Sequence, residues 1–472
     1  MASLGRPHGR PGESDTRRAG QPDDVSARRL SRRKARRISV GGRRHVPSFL
    51  ARGMDKTTID ALLAAMLQTS DGVSDLLFVC GRPPLVEVHG HLTEFPIDTP
   101  TGLLDEATIE ALAQHLIAGK ERLTRDFAEM GACDCSYAIA DVARFRVNIF
   151  KQCGQYGIVM RKLPTEIPTV ESLGLPPVFR EMLKEKNGII LVTGGTGTGK
   201  TTTLAAMLNE LNATQQIHIV TLEDPIEFRH PHQRAAMSQR ELGNDFPTFA
   251  SGLRAAMRQA PKVILVGEIR DRESLEIAMS ASETGHIVFS TLHTINAGQT
   301  INRILGMFSR EEEQQLRQRL AETIRYVVSQ RLVSKIGGGR LLVTEVMGSS
   351  LRTRETIAYG ESENKTFHEI IEAGTTLGWH SFDQKLLAAF DAGQITEETA
   401  MLYCASKARM RQQIEQVKKR GGAINMDGPS GLKLNMPVPV ESILEQVEKG
   451  GLKMGAIPNP QASPPPIPAR SS

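Results

Sequence analysis

The sequence predicts an α/β fold with a parallel-rich sheet, preceded by a small α+β module. Three observations carry this expectation. Residues Gly194 to Thr201 read G-G-T-G-T-G-K-T, a phosphate-loop pattern set between an apolar run and the helical stretch T-T-T-L-A-A-M-L. Short apolar runs at 189–192, 217–222, 263–266, 287–292 and 341–346 are separated by helical segments, as strands buried on both faces are. Ahead of residue 162, segments beginning at Leu85 and Ala143 alternate apolar and polar positions, the period of a strand with one covered face.

Residues 1–52 are rich in Arg, Gly, Ser and Pro and include R-R-L-S-R-R-K-A-R-R, so a disordered basic tail is expected there. Met54 directly precedes the first helix pattern and is a candidate for the true start. That helix is predicted from Ile59, Leu62, Leu63 and Met66, which fall on one face. It opens a small domain at 53–162, continuing through S-D-L-L-F-V, the turn G-R-P-P, L-V-E-V-H-G-H-L and A-R-F-R-V-N-I-F. Two prolines in L-P-T-E-I-P-T-V mark 163–176 as a linker. The phosphate-loop domain then spans 177–420. Within it, S-R-E-E from Ser309 matches a capping box, and Leu316, Leu320, Ile324, Val328 and Leu332 repeat on one face of a predicted helix. Residues 421–472 are Gly- and Pro-rich and are expected to be mostly disordered, with a possible short helix near Val440 to Val447.

The net charge of +5 is unevenly placed. Residues 1–52 hold 14 Arg or Lys against 4 Asp or Glu, which leaves the other 420 residues near −5. A mildly acidic body argues against direct nucleic-acid binding, because neutralising phosphates needs a basic face. No run approaches the roughly 18 apolar residues of a membrane span. The N-terminus lacks the apolar core of a secretory signal. The expectation is a soluble, cytosolic chain in which Cys80, Cys133, Cys135, Cys153 and Cys404 are reduced. Cys133 and Cys135 lack a second pair to complete a zinc site, and core packing is the better reading.

The phosphate loop suggests the chemistry. Its glycines let backbone N–H groups and a helix N-terminus face phosphate. The binding set is Gly194, Gly195, Thr196, Gly197, Thr198, Gly199, Lys200, Thr201 and Thr202, with ATP as ligand. Lys200 would reach the β- and γ-phosphates, and the Thr201 hydroxyl would meet Mg2+. Glu268, directly after V-I-L-V-G, is placed to orient or deprotonate water. Two more polar clusters stand at strand ends, E-D-P-I-E from Glu223 and E-T-G-H-I-V-F-S-T-L-H from Glu283. His286 and His293 are candidates for sensing the γ-phosphate, and neither has metal-site spacing. Arg144, Arg146 and Arg161 in the small domain read either as arginine fingers toward a neighbouring subunit or as surface ion-pair residues.

These motifs resemble the secretion ATPase superfamily of type II secretion and type IV pili, and within it the PilT-type pilus retraction ATPases. The likeness runs from about Met54 to about Ala408 and rests on five segments. They are G-G-T-G-T-G-K-T-T-T, E-D-P-I-E-F, V-I-L-V-G-E-I-R-D, E-T-G-H-I-V-F-S-T-L-H-T and R-F-R-V-N-I-F. The resemblance implies a PAS-like N-terminal domain joined to a RecA-like P-loop NTPase domain, in a homohexamer with ATP between subunits. It implies that Glu268 is catalytic, that Glu223 lies near metal and water, and that Arg144, Arg146 and Arg161 complete the site. Hydrolysis would power pilus retraction and twitching motility through an inner-membrane platform protein, at the cytoplasmic face of the inner membrane, with only indirect membrane contact. R-T-R-E-T-I-A-Y-G-E, from Arg352, departs from the family's A-I-R-N-L-type motif, and Q-A-P-K, from Gln259, replaces a more acidic segment. An accessory paralogue assisting a main motor, or a related secretion or DNA-transfer ATPase, are the alternatives.

Overall fold

A computed structural model describes residues 55–420, apart from Asp141 and Asn364. The expected tails at 1–52 and 421–472, the short helix near Val440 and the question of Met54 lie outside the described residues. The described residues form two compact units, one comprising 55–167 together with His218–Arg258, the other Pro168–Ile217 with 259–420.

The first unit opens with α1 (Lys56–Leu67), β1 (Val73–Val79), β2 (Leu85–Val88), β3 (His91–Glu94), α2 (Glu106–Ile117) and α3 (Glu121–Met130). It continues with β4 (Ala132–Ile139), β5 (Ala143–Gln152) and β6 (Gln155–Leu163). Asp55 caps α1 by accepting from the Thr58 N–H, and the predicted stripe Ile59, Leu62, Leu63 and Met66 is buried. L-V-E-V-H-G-H-L becomes the hairpin β2–β3, because His89 and Gly90 both take positive φ, 52° and 84°, as a tight turn requires. The six strands form an antiparallel sheet in the order β3-β2-β1-β6-β5-β4. Phe145, Val147 and Ile149 of β5 point into the core with Phe78, Met160, Leu63 and Leu112. Cys133 belongs to this core and Cys135 packs against it, as expected. Burial pushes the Cys135 thiol up to about 12, which keeps it protonated and unreactive.

The chain then contributes α4 (Val178–Met182), β7 (Gly188–Thr193) and α5 (Lys200–Thr214) to the second unit, and β8 (His218–Glu223), β9 (Ala236–Glu241) and α6 (Phe249–Ala256) to the first. Strands β8 and β9 pair in parallel. The second unit resumes with β10 (Val263–Val266), α7 (Arg272–Glu283), β11 (Ile287–Leu292), α8 (Ala297–Leu305), α9 (Glu313–Thr323), β12 (Ile324–Ser334) and β13 (Arg340–Gly348). Helices α10 (Leu351–Tyr359), α11 (Phe367–Ala373), α12 (Phe382–Asp391), α13 (Glu397–Tyr403) and α14 (Lys407–Arg420) complete it. Strands β12, β7, β11 and β10 run parallel in that order, and β13 closes the far edge antiparallel to β12. Every residue of β7, β10 and β11 is buried, so these strands show no alternation. The result is a mixed α/β fold with a parallel-rich sheet.

One predicted element is corrected. The helix expected to carry Leu316 through Leu332 ends at Thr323, and Ile324, Val328 and Leu332 lie on β12. A spacing of four is even, so it keeps side chains on one side of a strand as readily as on one side of a helix. The β-branched residues Ile324, Val327, Val328 and Val333 favour the strand. Ser309 and Glu312 do bond each other, with Ser309 Oγ donating to Glu312 Oε2 at 2.7 Å, but Glu312 rather than Ser309 is the cap of α9.

Candidate functional site

Strand β7 delivers the chain to the phosphate loop. Gly194 has φ 143°, and a Cβ there would stand 2.6 Å from Thr198 Oγ1 and 2.7 Å from the Gln330 carbonyl, so only glycine fits. Gly197 and Gly199 take φ 77° and 87°, and Gly199 turns the chain into α5. Gly195, Thr196 and Gly197 are exposed at the rim, while Lys200 is buried. Its ammonium donates to the carbonyls of Gly194 at 3.0 Å and Gly195 at 2.9 Å, so the charge already lies inside the loop. Thr201 and Thr202 are half-buried in the first turn of α5.

Two contacts that the motif does not reveal hold this loop to β12. Thr193 Oγ1 donates to Ser329 Oγ at 3.0 Å, and Gln330 Nε2 donates to Thr203 Oγ1 at 2.7 Å, all four residues being buried. The signal for them was polar residues inside otherwise apolar strands, at Thr193 and at S-Q of β12. Such groups need partners when buried.

Glu268 follows β10, and the side chain is mostly buried. Its carboxylate pairs with Arg270 and lies 3.6 Å from Nε2 of His293, which follows β11. Thr291 Oγ1 donates to the Gly267 carbonyl at 2.7 Å and Ser290 Oγ to that of Val266 at 2.8 Å, fixing the turn that presents Glu268. The phosphate loop, His293 and Glu268 therefore stand at the C-terminal ends of the adjacent strands β7, β11 and β10. His286 does not join them. The cluster from Glu283 was expected at a C-terminal strand end, yet His286 precedes β11, and its carbonyl accepts from the N–H of Gly188 at the start of β7. Six strand residues set it about 17 Å along the sheet from the loop. Its Nδ1 is within 2.9 Å of the Ala281 carbonyl, where an N–H donates to an oxygen.

The remaining candidates lie in the first unit. Glu223 ends β8 and is buried, accepting from Thr221 Oγ1 at 2.7 Å and Gln239 Nε2 at 3.1 Å. Burial outweighs these bonds and pushes its carboxyl up to about 7. Arg144 reaches from β5 to the same segment, donating to the carbonyls of Ile226 at 2.5 Å and Glu227 at 3.3 Å. Burial and the neighbouring Arg229 hold its guanidinium below the usual range. Arg146 and Arg161 face each other across β5 and β6, in a row that runs Asp75, Arg161, Arg146, Ser136 across four strands. Arg161 Nε pairs with Asp75 at 2.9 Å, and Arg146 lies 3.9 Å from Asp134.

Glu223 carries a pH consequence. An unfolded glutamate titrates near 4.5, and the folded one near 7. The folded state therefore binds the extra proton between those values, and the stability this group contributes is full below pH 4.5 and lost as pH rises through 7. Glu223→Gln is expected to flatten that decline. Thermal melts from pH 4.5 to 8 check it, with the variant losing less stability than the parent over the interval.

Residues 136–339 match the family described as Type II/IV secretion system protein. The chain is 40% identical over 342 residues to the type IV pilus retractation ATPase PilT of Pseudomonas aeruginosa, covering 72% of this chain and 96% of that one. It is 36% identical over 350 residues to the type IV pilus ATPase PilU of the same organism, covering 74% of this chain and 90% of that one. A crystal structure of the pilus retraction motor PilT with bound ADP matches with a TM-score of 0.66 at 37% identity, covering 75% of this chain and 99% of that one. Among the described residues, no helix is long and apolar enough to cross a membrane. With a relative matched along nearly its whole length, this chain belongs to the type II/IV secretion system protein family, whose two relatives named above are ATPases.

Proposed function

We propose that the chain is an ATPase motor for type IV pilus retraction, working as a homohexamer at the cytoplasmic face of the inner membrane. The observation that carries the chemistry is the order β7-β11-β10. It places the phosphate loop two strand positions from Glu268, about 10 Å across the sheet, with His293 between them. That interval suits a terminal phosphate and the water that attacks it. The loop fits a polyphosphate, since Gly194 admits no Cβ and the Lys200 ammonium lies within it. Mg2+, held through Thr201, would supply charge neutralisation between the phosphates. Glu268 orients and deprotonates water, and His293 steadies its carboxylate. Glu223 adds a second acid. Domain limits of 53–162 for a PAS-like domain and 177–420 for a RecA-like domain belong to the same proposal.

Arg146 and Arg161 are proposed to stabilise ATP bound by an adjacent subunit. A ring built this way makes each active site from two chains. Arg161→Ala and Glu268→Gln chains are each expected to be nearly inactive alone, yet mixed rings regain turnover where an Arg161→Ala nucleotide site meets a Glu268→Gln neighbour. Phosphate release from the two proteins, separate and then co-assembled, checks this. Mixtures no faster than the mean of the parts would count against shared sites.

The motor reading is tested in cells whose only copy carries Glu268→Gln, which are expected to keep surface pili and lose retraction. A second reading, an accessory paralogue, is favoured by L-R-T-R-E-T-I-A-Y on α10, which departs from the A-I-R-N-L-type motif and exposes Leu351 and Tyr359. It predicts that retraction persists in those cells through another motor.

A further inference from the structure

Away from the phosphate loop, the second unit contains a cavity of about 370 Å³ bordered by the start of α8, strands β12 and β13, and helices α11 and α12. Glu345 of β13 and Asp383 of α12 both line it and are both buried. Asp383 is fully engaged, its two oxygens accepting from the N–H groups of Ala405 at 2.7 Å and Ser406 at 3.0 Å. Glu345 is not. Its Oε1 accepts from the Ala297 N–H at 3.0 Å, and among the described residues nothing donates to Oε2, although the residue is only 6% exposed. Because Glu345 lines the cavity, that second oxygen is left to solvent, where a ligand donor can replace water.

We propose that this cavity binds an organic cation bearing an alkylammonium or guanidinium group, which donates to Glu345 Oε2. The charge balance favours a cation, with Glu345, Asp383 and the rim residue Glu361 set against Arg331 and His368. Arg331, whose Nη1 donates to the Tyr403 carbonyl at 2.5 Å and whose guanidinium lies 3.9 Å from the centre of the Phe382 ring, offsets one of the three carboxylates and leaves the lining acidic. Phe367 and Ile371 add apolar wall for a methylene chain. An inorganic ion is the poorer fit. The volume is that of a small-molecule site, and among the described residues no three His, Cys, Asp or Glu side chains are grouped to hold a metal.

Two sources supply this chemistry, a free small diamine or a basic side chain from the Arg28–Arg37 run of the chain's own first 52 residues. Calorimetric titration of the full-length protein with 1,4-diaminobutane and with L-arginine amide, at fixed ionic strength, tests the site. Saturable binding of at least one is expected, with none of the uncharged 1,4-butanediol. Glu345→Gln, which keeps an acceptor for Ala297, is expected to weaken binding about tenfold or more. Glu361→Gln, on the exposed rim, should weaken it about threefold, and it serves if the buried variant does not fold. A full-length chain with R28S, R29S, R32S and R33S that binds the probes more tightly identifies the arm as the native occupant, and unchanged affinity identifies a free cation. No binding of either cation, equal binding of the diol, or affinity unaltered by the glutamate substitutions would overturn the proposal.

Discussion

A Lys200→Ala chain is expected to lose ATP binding, with affinity reduced about a hundredfold or more and turnover abolished. The ammonium is held within the loop by the Gly194 and Gly195 carbonyls, so its removal takes one donor from each of those oxygens and leaves the phosphates without their principal charge. Equilibrium titration with a fluorescent ATP analogue measures the loss. Circular dichroism melts taken alongside should show that the fold persists, because β7 and the body of α5 are packed through apolar residues. Near-parental affinity in a folded variant would remove Lys200 from the site.

Glu268→Gln separates binding from chemistry. The amide keeps the size of the carboxylate but cannot take a proton, so kcat should fall about a thousandfold, within the range for a lost general base. Nucleotide affinity should change little, because the phosphate loop is held by β7 and β12 rather than by Glu268. Single-turnover quench experiments with radiolabelled ATP distinguish slow chemistry from slow product release. A variant that hydrolyses at the parental rate would transfer the base role to another acid, with Glu223 the next candidate.

Much of this was legible in the sequence, for reasons that differ by element. The loop at 194–201 and its flanking strand and helix could be read because Gly194, Gly197 and Gly199 take positive φ, which glycine adopts without strain. Helix α1 was equally plain, since Ile59, Leu62, Leu63 and Met66 fit only the helical period. Strand β12 was not legible from spacing, because a spacing of four serves both periods, and only its β-branched residues separate strand from helix. His286 was misplaced by reading Glu283–His293 as one strand-end cluster when β11 runs through it and divides its two ends. Ser329 and Gln330 carry no motif, and their part in fixing the loop arises from pairing between strands more than 130 residues apart. The cluster of Glu345, Arg331 and Asp383 carries no motif either, because packing of α12 against the β12–β13 pair brings it together. Arg144, Arg146 and Arg161 share one face of β5 and β6, and what sets Arg144 apart from the other two is its bonding to Ile226 and Glu227.

Steady-state phosphate release by the purified full-length protein, with oligomeric mass recorded on the same sample, is the most direct test of the motor assignment. The expected result is ATP turnover by a hexamer. A ring that binds ATP and releases no phosphate would contradict it.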